Sequence, residues 1–215
     1  MGGMLTKEFL CFRKQAKALF LCLALVLAAT AVFQQPQGDS EAVKVLSPAI
    51  GAAAALAVVF TINIMAYEEK TKWNLFVKSL PLSSHAIVGA RYILTLCFTA
   101  AGAVFVLAAA LLFWGKKASP EIWAAVWVGG WAIPLVLCAV LLPLLYKFSL
   151  QKALPFFFCL VFVLPVLAAA LLWKANVTVS PASAFVLLKF SPAIVSALLA
   201  ASFLLSCKIY SHKEI

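Results

Sequence analysis

An all-α integral membrane fold with six transmembrane helices is the class this sequence predicts, and three observations carry it. Of the 215 residues, 66% are hydrophobic and only 11% charged, with a mean hydropathy of +1.09. A soluble domain of that length has too little interior to hide so much apolar surface. Six apolar runs approach or exceed the roughly 20 residues a helix needs to cross a ~30 Å hydrocarbon layer. Finally, the basic residues are unevenly divided between the two sets of connections, as the retention of Lys and Arg on the cytoplasmic side requires.

The elements follow in order. Within residues 1–17 and just beyond, Leu5, Phe9, Phe12, Ala16 and Leu19 share one helical face while Lys7, Lys14 and Lys17 mostly avoid it, which predicts an amphipathic interfacial helix. The spans are predicted at Ala16–Phe33, Pro48–Tyr67, Ala86–Trp114, Ile122–Tyr146, Ala153–Trp173 and Phe190–Cys207. In the second span Ala49, Ala53 and Ala57, with Gly51 and Ala55 nearby, form a small-residue face that permits close helix contact. Pro134, Pro143, Pro155, Pro165 and Pro192 lie in the last three spans, where each removes a helix donor and can kink or break the helix. With the N-terminus inside, twelve of the seventeen basic residues fall on the inner side, leaving Lys44, Lys116, Lys117, Lys174 and Lys189 outside. Both termini are therefore expected in the cytoplasm of a multi-pass plasma-membrane protein, with residues 1–215 forming one transmembrane domain.

Several function classes are disfavoured. The net charge of +10 follows from topology and attraction to anionic lipid, and no folded basic domain suggests a nucleic-acid partner. The apolar cores hold no Asp or Glu, which argues against ion-coupled transport; Lys189 reads as snorkelling from the outer end of the last span. HExxH, GxSxG and GxxxxGK[ST] are absent, and His85 and His212 have no partner at motif spacing. The six cysteines lack CxxC spacing and read as small buried hydrophobes. The chain is expected to be no enzyme and to hold no cofactor or metal itself.

The longest polar interruption is patterned. Trp73, Phe76, Val77 and Leu80 follow i, i+3, i+4, i+7 spacing and make one apolar stripe, with Lys70, Lys72, Asn74 and Lys78 mainly off it. Glu68 precedes Lys72 in the supportive i, i+4 order, Pro81 ends the helix, and Ser83 or Ser84 is placed to cap the third span. Two readings fit this pattern: a helix lying on lipid, or a lever whose apolar face fits a groove on a cytoplasmic protein.

The residues around it resemble those of small six-span type-2 ABC export permeases. Glu68-Glu69, Trp73-Asn74, Ser79-Leu80-Pro81-Leu82-Ser83, Ile87-Val88 and Arg91-Tyr92 are similar to that family's acidic pair, its "SLP" turn and its later Ile-Val-x-x-Lys/Arg-Tyr. Leu142–Ala153 resembles its Pro-aromatic-Lys-Phe segment, and Ser206–Ile215 its closing Ser-x-x-Ile-Tyr tail. Ser84, Arg91 and Ser149 depart from the residues common at those positions. The resemblance implies a permease whose residues 68–84 form a cytoplasmic coupling segment between spans two and three, with residues 1–17 as an elbow helix. It implies that Glu68, Glu69, Lys72, Trp73, Phe76, Val77 and Leu80 couple to a separately encoded ABC ATP-binding subunit, which would hold ATP and Mg. It also implies a second permease copy or related half, a bacterial cell membrane, and amphipathic peptides of the phenol-soluble modulin type as cargo. The alternative is a membrane scaffold or immunity protein that binds a peptide or partner without transport.

Overall fold

The structure, a computed structural model, describes residues 42–71, 83–114, 120–163, 166 and 181–212, excepting the side chains of 42–45, 114, 121 and 181–189. Residues 1–17, the first predicted span, the latter part of the fifth, the Lys189 side chain, and Lys72, Trp73, Phe76, Val77 and Leu80 lie outside that description. The described elements are helical: α1 (Ala42–Lys70), α2 (Ser84–Trp114), α3 (Pro120–Trp127), α4 (Ile133–Lys147), α5 (Leu150–Phe158) and α6 (Pro181–His212). A π-helical turn, Val128–Ala132, joins α3 to α4, and a second, Cys159–Val163, follows α5.

Among the described residues four stretches are long and apolar enough to cross a membrane: Leu46–Lys70, Ser84–Phe113, Ile122–Lys147 and Phe190–His212. They correspond to predicted spans two, three, four and six, and the shorter apolar helix Leu150–Val163 begins the fifth. The helices outrun the apolar runs that located them. α1 continues to Lys70 and α6 starts at Pro181 and ends at His212, because backbone hydrogen bonding persists where side chains turn polar.

α1 and α2 run antiparallel, and small residues set how closely they approach. Ala49, Ala53 and Ala57 repeat every fourth residue on one face and are buried. Gly51 and Ala55 lie on the opposite, exposed face and take no part in this contact. Gly102 sits against Ala53 so tightly that a Cβ there would lie 3.2 Å from the alanine Cβ. Nearer residues 71 and 83 larger side chains fill the contact, and Phe60 stacks on Phe98 with ring centroids 4.3 Å apart.

α4 packs along α6, and this pair closes against α1 and α2. The π turn has a local cause. The Ile133 N–H bonds the Val128 carbonyl, five residues back, just before Pro134, which has no N–H to give and whose ring would crowd the carbonyl of residue 130 in α register. The second π turn likewise ends two residues before a proline in the sequence, Pro165. Elsewhere the helices run on through Pro48, Pro143, Pro155 and Pro192. The break between α4 and α5 falls instead at Phe148 and Ser149, both extended.

Of the predicted buried cysteines, Cys138 and Cys207 are buried, whereas Cys97 and Cys159 are exposed on the apolar outer surface. His85 and His212 are exposed.

Candidate functional site

The amphipathic segment is bracketed by two helix ends. α1 closes at Lys70, with Thr71 donating its N–H and its hydroxyl to the Tyr67 carbonyl at 3.0 and 2.9 Å. α2 opens with Ser83 as N-cap: the Ala86 N–H, one of the donors that every helix start leaves over, bonds the Ser83 carbonyl at 2.9 Å and is shared by the Ser83 hydroxyl oxygen at 3.4 Å. Of the two serines proposed for this role from spacing, Ser83 fills it.

Immediately inside this bracket is a charge pair. Glu68, two residues before the end of α1, accepts a hydrogen bond from Arg91 Nη2 at 2.5 Å, and both side chains are buried. Arg91 lies two turns into α2, so it does not belong to a solvated loop as its place in the inner-side charge count suggests. A buried guanidinium and carboxylate each cost several kcal/mol of desolvation, so each holds the other in place, and the pair fixes the two roots of segment 72–82 to one another. Glu69, the next residue, is exposed.

Tyr92 turns about 100° from Arg91 around α2 and faces the other helix pair. Its hydroxyl lies 2.6 Å from Ser202 Oγ and 2.9 Å from Ser206 Oγ, and Ser202 donates to the Ala139 carbonyl at 2.6 Å. Each hydroxyl has one proton, so the direction is fixed. Ser202 has given its proton to Ala139, so Tyr92 donates to Ser202 and Ser206 donates to Tyr92. The chain Ser206, Tyr92, Ser202, Ala139 links α2, α6 and α4, each bond polarising the next. Around it pack Val88, Leu142, Tyr146, Cys207 and Tyr210, with Phe203 edge-on to Tyr92 at 5.3 Å and Tyr146 edge-on to Tyr210 at 5.8 Å.

Three sequence segments that are far apart along the chain therefore meet here: Ile87–Tyr92, Leu142–Tyr146 and Ser206–Tyr210. These are the stretches that carried the resemblance described above. Sequence reasoning placed Arg91 and Tyr92 in a motif without foreseeing their partners. An arginine within an apolar run was the available signal, because an ionisable group at that depth needs a counter-charge.

Among the described residues no three His, Cys, Asp or Glu side chains come together in a way that could hold a metal ion. Among the described residues the arrangement offers no nucleophile and base pair; what it does is join four helices, α1 to α2 through Glu68 and Arg91 and α2 to α6 and α4 through the Tyr92 hydroxyl chain. The family model for ABC-2 family transporter proteins matches residues 3–211. No curated protein and no solved structure matches the chain.

Proposed function

The chain belongs to the ABC-2 transporter family, and from that premise we propose that it is the permease of an ABC exporter driven through residues 68–84. Permeases of this family are multi-pass membrane components, and ATP hydrolysis belongs to a separate subunit. In our reading six spans form each permease half, both termini are cytoplasmic, and two halves build the pathway. Segment 68–80 is the coupling helix seated on the ATP-binding subunit, where bound ATP and Mg supply the energy.

The observation that carries this reading is the buried Glu68–Arg91 pair at the root of segment 72–82. A surface helix that only rested on lipid would need no such anchor. A lever does, because a push at its tip moves the membrane helices only if its roots cannot splay. Displacement of the segment would tilt α1 and α2 together, and the Tyr92 hydroxyl chain would carry the motion into α6 and α4. Cargo of amphipathic peptide type fits a path walled by apolar and aromatic side chains.

The test is Trp73→Ala with Phe76→Ala in the full chain, co-purified with the ATP-binding subunit. Expected is loss of the complex, and of peptide-stimulated ATPase activity in lipid, while the permease itself stays folded. A stable complex with unchanged transport would remove the lever assignment, and absence of any complex with the unaltered chain would favour a scaffold.

A further inference from the structure

Where α4 ends, α5 begins and α6 makes its last turns, the surface is cut by a groove of about 700 Å³. That is within the ~300–1,000 Å³ range that holds a small-molecule ligand. Leu144, Phe156 and Leu205 wall it, and Lys147, Lys208 and His212 line it at the helix ends. Phe156 and Leu205 are half-exposed, presenting apolar surface outward. Lys147 and Lys208 are exposed, and among the described residues no carboxylate pairs with either. Phe148 steadies one of them, its ring centroid lying 5.4 Å from Lys147 Nζ.

The occupant must therefore join an anionic head to an apolar tail at the depth where spans meet the headgroup layer. The N-terminal stretch of this chain does not suit it, since Lys7, Arg13, Lys14 and Lys17 would meet a rim of the same sign. We propose that the groove binds an anionic phospholipid, with its phosphate between Lys147 and Lys208 and an acyl chain against Phe156 and Leu205. The two lysines then act together on one headgroup instead of snorkelling separately to the interface. This assignment goes beyond the exporter reading and does not depend on it, because it requires neither ATP nor a partner subunit.

The experiment is native mass spectrometry of the purified full chain in detergent, titrated with phosphatidylglycerol or phosphatidylcholine. Phosphatidylglycerol should be retained preferentially. Lys147→Gln and Lys208→Gln should each weaken it roughly fivefold, and the pair about 30-fold, with Lys152→Gln on the exposed side of α5 as the control that changes nothing. Equal retention of both lipids would overturn the site, as would an equal loss in the Lys152 control, which would mark a diffuse surface charge. Complete competition by glycerol 3-phosphate would overturn the lipid assignment in favour of a free phosphate ligand, and lysine-dependent displacement by an acidic amphipathic peptide would make the groove a peptide site instead. A second measurement needs no substitution. Phosphatidylglycerol with a photoreactive acyl chain should label the unaltered protein around Phe156 and Leu205, and labelling confined to other helices would reject the proposal.

Discussion

Replacing Glu68 with Gln removes the carboxylate that the buried Arg91 guanidinium donates to, and the expected cost follows from the geometry. The Arg91 and Glu68 side chains are 5% and 6% exposed, so neither regains water without local unfolding. An exposed ion pair is worth about 0–1 kcal/mol, whereas removing one partner of a buried pair costs about 3–5 kcal/mol. The pair sits near the end of α1, where the helix approaches water, so the lower figure applies. At about 2–4 °C per kcal/mol for a chain of this size, the melting temperature of the purified protein should fall by on the order of 6–12 °C. Arg91→Met should cost about as much, by removing the guanidinium that faces the buried carboxylate. Combining Glu68→Gln with Arg91→Met removes both charges and should recover most of the loss, giving a coupling of at least about 2 kcal/mol in a double-mutant cycle. Thermal unfolding of the four proteins in one detergent reads the cycle directly. Single losses below about 1 kcal/mol, or a double loss equal to the sum of the singles, would show that the pair does not anchor the segment.

Three further outcomes are expected. Tyr92→Phe should cost about 1–3 kcal/mol, because the buried Ser206 hydroxyl loses its acceptor; hydrogen exchange should rise in the last turns of α6, and unchanged exchange would argue against a link between α2 and α6. Gly130→Leu should destabilise by about 1–3 kcal/mol through overpacking, since a Cβ there already lies 3.3 Å from the Ala103 backbone. Gly51→Ala, which meets nothing within 4 Å, should instead be neutral or gain about 0.5–1 kcal/mol, as thermal unfolding would tell. Ser83→Ala should cost no more than about 0.5 kcal/mol, the low end of such effects, because the Ala86 N–H keeps its 2.9 Å bond to the Ser83 carbonyl; a larger loss, with fraying at the start of α2 by hydrogen exchange, would show that the hydroxyl is the true cap.

What could be read from the sequence was what short-range chemistry decides. Apolar runs located four membrane-crossing helices because lipid acts on every residue of a span alike. The stripe Ala49, Ala53, Ala57 was legible because a four-residue spacing maps onto one helix face, yet Gly51 and Ala55 share its composition and lie on the other side. The Ser83 cap needed only the residues beside it. The charge pair needed more, since its value comes from an approach between helices that no window of sequence contains. Tyr92 meets Ser202 across 110 positions, and nothing about a serine within an apolar span names its partner. The π turn at Val128–Ala132 escaped because periodicity averages over one inserted residue, although two glycines closely followed by a proline were a local hint.

The two ends of the bundle are packed around different kinds of side chain. Near segment 72–82 the joints are directional: the Glu68–Arg91 pair and the hydroxyl chain through Tyr92 tolerate little change in angle or distance. At the far end the core is Leu46, Ala49, Ala53, Val106, Ala109, Ala110 and Ile122, small or aliphatic groups without donors in their side chains. Surfaces made of alanine and glycine lack the deep ridges that lock one helix register against another. The far end also has one directional joint, Trp127 Nε1 donating to Ser191 Oγ at 3.1 Å between α3 and α6. The π turn Val128–Ala132 lies between these two regions along α3 and α4, and its hydrogen bonding is wider and less regular than that of the α-helix on either side.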